Sequence, residues 1–212
     1  MTLPIPYRRV APALAALALV ALASAQAAAG PPPVPRSSDM ILPLAEVQAI
    51  VKEPELEAKS INDRTSPWVD HSQDSHMPAP CRRFLNQDEE FGDTWINFKS
   101  AGYSGESNIG IHQNIAVYPD VGTAQRTFEA LKTAAHQCRT NLSPQSGVTM
   151  YMLTDQDPNT LIGQYPDSVN GPGSVDITAL RGQIIIGVSA AHFSTDPTIA
   201  QTVLAHIIHN IK

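Results

Sequence analysis

The sequence predicts an α+β domain in which helices cover an antiparallel sheet, on three observations. Apolar residues recur at helical spacing near the start, middle and end of the chain, runs rich in β-branched residues lie between them, and those runs are joined by short turns, tightest at Arg181-Gly182. The chain has 212 residues, 42% hydrophobic and 16% charged. That is apolar enough for a core and too sparsely charged for a disordered chain.

From Pro43, Leu44, Val47, Ile50 and Val51 form one helical face, with proline tolerated in the first turn and Pro54 as the stop. Asn62 to Pro80 carries three prolines among Asn, Asp, Ser and His and reads as an irregular connection ending at Cys81. Trp95, Ile96 and Phe98 predict a strand and Gly102 to Gly105 a turn. Ile109, Ile111, Ile115, Val117 and Tyr118 predict the antiparallel partner strand, with a polar patch at His112 to Asn114. After Pro119 and Asp120, Ala124, Phe128, Leu131, Ala135 and Cys138 recur at steps of four and three, so the principal helix turns Cys138 inward. Further strands are predicted at Val148 to Leu153, Thr160 to Tyr165, Val175 to Leu180 and Gln183 to Ser189, the last two forming a hairpin. Asp196 and Pro197 then open a closing helix striped by Ile199, Val203, Ile207 and Ile211.

The first 29 residues read as an export signal: Arg8 and Arg9, the apolar run Ala13 to Ala23, then A-x-A sites at Ala23 to Ala25 and Ala27 to Ala29. An uncleaved anchor is the alternative, but the run is short, Ala-rich and preceded by Pro12. Residues 30–40 open with a proline-rich tether, GPPPVPR, and 41–212 form the domain. Of 14 basic residues, loss of Arg8 and Arg9 leaves 12 against 20 acidic, a balance of −8 with histidines neutral. Such a chain repels phosphate backbones and anionic lipid heads, so no nucleic-acid partner is expected, nor a membrane span after signal cleavage. A secreted or cell-envelope location follows. In that oxidising space Cys81 and Cys138, 57 residues apart, are expected to join as a disulfide rather than to serve as reactive thiols.

No catalytic residue, cofactor or metal is expected. Gly102-Tyr103-Ser104-Gly105-Glu106 falls one glycine short of a nucleophile elbow and lies between strands, not between a strand and a helix. The Asp70–His76 run DHSQDSH holds metal-ligand atoms, yet a proline-bounded loop offers little preorganisation. His206 and His209 lie off the centre of the isoleucine stripe and read as surface residues. The candidate ligand contacts are the strand residues His112, Gln113 and Asn114, with Tyr103 and Trp95. For the three polar residues the competing role is completion of backbone hydrogen bonds. Trp68 and Trp95 could stack on a sugar or lipid ring, or fill core.

The run from Ala101 to Cys138 resembles the PknH-like extracellular sensor domain of mycobacterial receptor kinases and related exported proteins. Tyr103, Ser104, Gly105, Gln113, Val117, Tyr118, Pro119, Ala124, Phe128 and Cys138 carry the likeness. LPLAEVQAIV, VDITALRGQIIIGV and the segment Ile199 to Lys212 extend it over Ile41 to Lys212. The resemblance implies a twisted antiparallel sheet flanked by helices, with a cleft for an extracellular ligand, a small molecule or glycan of the cell envelope. That family's kinase sensor has a second disulfide in its C-terminal half. This chain has no cysteine beyond Cys138, so Leu153 to Ser174 is expected to be looser. No kinase domain accompanies the sensor-like segment, which points to a domain that binds, carries or sequesters, or that docks another envelope protein.

Overall fold

The structure, a computed structural model, describes residues 34–141, 152–166 and 172–211. The predicted signal, the first residues of the tether and the 148–151 portion of the predicted strand lie outside these. Within them the elements run α1 (Leu44–Val51), β1 (Glu57–Ala58), α2 (Ala79–Leu85), α3 (Gln87–Phe91), β2 (Asn97–Ser104), β3 (Gly110–Val117), α4 (Val121–Asn141), β4 (Met152–Asp157), β5 (Thr160–Tyr165), β6 (Ser174–Arg181), β7 (Ile184–Ala191) and α5 (Thr198–His209). The strands form one open antiparallel sheet in the order β1-β2-β3-β7-β6-β5-β4. No helix among the described residues is long and apolar enough to cross a membrane.

Both faces of the sheet are covered, and the two-residue period of the strands assigns side chains to each. Along β7, Ile184, Ile186, Val188 and Ala190 join Val47 of α1 and Val203, Leu204 and Ile207 of α5 in one core. Ile185 faces the other way, into a core with Phe98, Ala116, Phe128, Leu131 and Phe91. Ala124, Phe128, Leu131, Ala135 and Cys138 are fully buried, so the face expected of α4 is the one it presents. The β6–β7 hairpin turns at Gly182-Gln183, between the paired Arg181 and Ile184. Gly182 has a φ of +58°, a conformation that L side chains rarely adopt.

Two local expectations change. Ala79–Phe91 is not a loop end but two short helices, α2 and α3, with Pro80 at the permissive start of α2. Cys81 does bond Cys138, with Cα atoms 4.6 Å apart. The bridge therefore staples helix to helix. β2 runs through Gly102 to Ser104, and the reversal comes later, at the 3-10 turn Glu106–Asn108. The segment expected to be loose contains β4 and β5, both paired into the sheet, and only 167–171 within it lies outside the described residues.

Candidate functional site

Cross-strand register builds the floor of a cavity on the α4 side. Phe98, Ala116, Ile185 and Leu180 form an apolar row across β2, β3, β7 and β6, in the core that α4 covers. The next two rows on the same face are polar: Ser100, Asn114, Gly187 and Thr178, then Gly102, His112, Ser189 and Asp176. Helices α2 and α3 overhang these rows with Phe84, Leu85, Gln87 and Glu90, enclosing about 250 Å³. A neighbouring hollow of about 400 Å³ shares Arg64, Leu85, Gln87 and His112 and adds Trp68, Asp70 and Gln73. Chain crowding fixes this floor. A Cβ on Gly102 would fall 2.6 Å from both Asn62 Nδ2 and His112 Nδ1, and one on Gly187 3.3 Å from Phe91 Cζ.

Hydrogen bonds hold the rim. The Gln87 side-chain amide donates to Asn114 Oδ1 at 2.9 Å and its oxygen accepts from the Trp68 backbone N–H. Arg64 pairs its backbone with Ser100 as an isolated bridge, donates from its guanidinium to the Ile61 carbonyl and lies 4.7 Å from the centre of the Trp68 ring. Its Nε is buried without a partner among the described residues.

The acids at the opposite end have their carboxyls raised by their surroundings. Burial pushes the Glu90 carboxyl up to about 8, with the nearby Asp176 adding to the rise. The Thr178 hydroxyl, donating to Glu90 Oε1 at 3.1 Å, works against that rise. Asp176 is also raised by burial, tempered by hydrogen bonds to Ser189 and Tyr165, whose phenol is pushed well above its ordinary range. His112 is lowered by burial and then by the Arg64 charge, so its imidazole is neutral. Ser189 lies between His112 and Asp176 in the row. Asp176 bonds the serine and not the imidazole, whereas a hydrolytic relay needs the carboxylate to orient the histidine.

Of the five residues expected to touch ligand, His112 and Asn114 line the cavity. Gln113 and Tyr103 point to the opposite face. Gln113 accepts from the Leu42 N–H at 2.9 Å and donates to the Leu42 carbonyl at 3.1 Å, and the Tyr103 hydroxyl donates to that carbonyl at 2.8 Å. Trp95 donates to the Gly92 carbonyl at 2.9 Å and packs on Phe98 with ring centres 5.8 Å apart, at the edge of the α4-side core. Sequence reasoning did not pick out Arg64, Gln87, Glu90, Asp176, Thr178 or Ser189. The strand residues among them were findable, because residues i and i+2 share a face and a cavity under His112 and Asn114 needs polar partners at matching positions on β6 and β7.

The DHSQDSH loop does gather ligand atoms. His71 Nδ1 lies 3.0 Å from Asp74 Oδ2, its Nε2 3.0 Å from Asp88 Oδ2, and Glu89 approaches to 3.9 Å. His71, Asp74 and Glu89 could together contact an ion. Desolvation lowers the His71 pKa, and the charges of Asp88 and Asp74 outweigh it to leave the pKa raised. Those carboxylates therefore favour the protonated form of the imidazole. Ser104 ends β2 and is followed by a turn into β3, so the elbow-like motif is a strand-to-strand reversal. His206 is exposed and meets Glu46 of α1 at 3.1 Å, and His209 is also exposed.

A sequence profile described as the PknH-like extracellular domain matches residues 32–210. Among solved structures, the extracellular domain of PknH from Mycobacterium tuberculosis matches with a TM-score of 0.62 at 14% identity, over 81% of this chain and 92% of that one. At that identity the likeness is one of fold. A search of curated protein sequences gave no match.

Proposed function

Because the chain belongs to the PknH-like extracellular domain family, and so acts outside the cytoplasm, we propose that it is a non-enzymatic sensor-type domain binding a cell-envelope small molecule or glycan in the cleft between sheet and helices. The observation that carries this reading is the pair of polar rows left open beside an apolar row that α4 seals. Each of these side chains can form more hydrogen bonds than the one or two already described, so a recess that collects His112, Asn114, Ser189, Asp176 and Thr178 under an overhang is suited to an occupant that hydrogen-bonds. Trp68, 44% exposed at the mouth of the adjoining hollow, offers a face for a sugar ring.

Thermal-shift measurement of the purified chain against envelope lipids and glycans tests the reading. A ligand selective for the folded state raises the melting temperature, and His112→Ala or Asn114→Ala should abolish that rise. A flat response across the set sinks the cleft. It would favour a second reading, docking of another envelope protein, for which Trp68, Val69 and Leu85 supply exposed apolar surface on one side of the molecule.

A further inference from the structure

The cavity is electrically lopsided. Its floor crosses four adjacent strands, from β2 to β6, roughly 14 Å at ordinary strand spacing. Arg64 stands at the β2 end, and Glu90 and Asp176 share the β6 end. Among the described residues neither carboxyl meets a Lys, Arg or His. Glu90 is held by Thr178, and Asp176 by Ser189 and Tyr165. The other titratable groups around Glu90 are the phenols of Tyr118 and Tyr165, both kept neutral by burial, and the Arg83 guanidinium of α2, whose charge acts on Tyr118 and which forms no ion pair with Glu90 among the described residues. Of the residues outside the described ones, 142–151 and 167–171 contain no basic side chain, and the rest contain Arg8 and Arg9 of the predicted signal and Lys212. Two recessed acids that open onto the cavity without an ion-pair partner among the described residues leave room for a counter-charge from solution.

Taking the cavity as the ligand site proposed above, we infer that its ligand presents a protonated primary amine to Glu90 and Asp176 and lays a hydroxyl-bearing skeleton along Asn114 and Ser100 toward Arg64. On binding, the ammonium donates hydrogen bonds to the carboxyls and the proton held by Glu90 leaves for solvent. Arg64 at the far end repels a second cation, so one amine on a polyhydroxyl frame fits better than a string of amines. Amino sugars and polyamines share the recognised chemistry, and the test separates them.

The test is calorimetric titration of the purified chain at pH 7 with chitobiose bearing one free amine and one N-acetyl group, with its N,N′-diacetyl form, with cellobiose and with putrescine. The free-amine disaccharide is expected to bind at least tenfold more tightly than the acetylated or neutral ones, with a heat that varies with buffer ionisation enthalpy because a proton is released. Putrescine stays charged across the range, and its affinity should fall by roughly tenfold per pH unit as Glu90 takes up its proton again. Glu90→Gln should bring the free-amine and neutral disaccharides within about threefold of each other. Should that variant not fold, proton release by the native chain decides the matter. Binding by putrescine alone supports the amine and assigns it to a polyamine. Cellobiose binding as tightly as the free amine, without proton release, overturns the inference and leaves the cleft a ligand site. No binding by any of the four, together with the flat thermal response described above, overturns both.

Discussion

At the scale of residues, neighbours in sequence do opposite work. Gln113 lies between His112 and Asn114, yet its amide closes the backbone of Leu42 on the far side of the sheet. Replacing it with leucine would orphan the Leu42 N–H, while the Leu42 carbonyl keeps the Tyr103 hydroxyl. We expect Gln113→Leu to cost about 1 to 3 kcal/mol in chemical denaturation without altering ligand binding. No measurable loss would show that Leu42 finds another partner. Glu90 gives a prediction whose sign is fixed by its environment. Its carboxyl, raised from 4.5 to about 8, keeps a proton in the folded chain that the unfolded chain has already released. Its contribution to stability is therefore complete at low pH, declines as pH rises through that window and is flat above it. Glu90→Gln should match the native protein near pH 4 and exceed it by up to a few kcal/mol near pH 9, measured as the difference between their urea midpoints across pH. A constant difference across pH would mean that Glu90 is ionised in the fold.

Among elements, the helices α2 and α3 form the overhang of the cavity and the sequence did not announce them. At seven and five residues they are too short for a helical period to stand out, and α2 opens with Pro80 in its first turn, directly after a proline-bounded loop. Tertiary anchoring holds them: Phe84 and Phe91 are buried, the Tyr118 hydroxyl donates to the Phe91 carbonyl at 2.7 Å, and Cys81 bonds Cys138 of α4. The long amphipathic elements α1, α4 and α5 and the last hairpin were legible, because each carries several turns or a full alternation of one pattern. Removing the bridge by paired Cys81→Ser and Cys138→Ser changes should lower stability by about 4 kcal/mol on chain-entropy grounds. The local consequence is sharper. Amide exchange should accelerate over 79–91 well before β3 and β7, and equal protection in the two regions would show that α2 and α3 hold without the bridge.

For the whole molecule, one sheet separates two cores and belongs to both. The site was legible in part for this reason: strand alternation sends His112 and Asn114 to the cavity, but which face carries the cavity depends on helices from distant segments. The same sharing predicts that the domain unfolds as a single cooperative unit. β7 gives Ile184, Ile186 and Val188 to the α5 side and Ile185 to the α4 side, so neither layer can lose its packing while the strand keeps its register. Both tryptophans report on the α4 side, Trp95 against its core and Trp68 at the hollow beside the cavity. Ile207→Ala opens a cavity in the opposite core, where Ile207 is fully buried, and should cost about 2 to 5 kcal/mol. If the layers are coupled, tryptophan fluorescence will register that loss in full and its midpoint will coincide with that of far-ultraviolet circular dichroism. A fluorescence midpoint left at its native value while the dichroism midpoint falls would mean that the α4 layer, with the site it encloses, unfolds independently of α5.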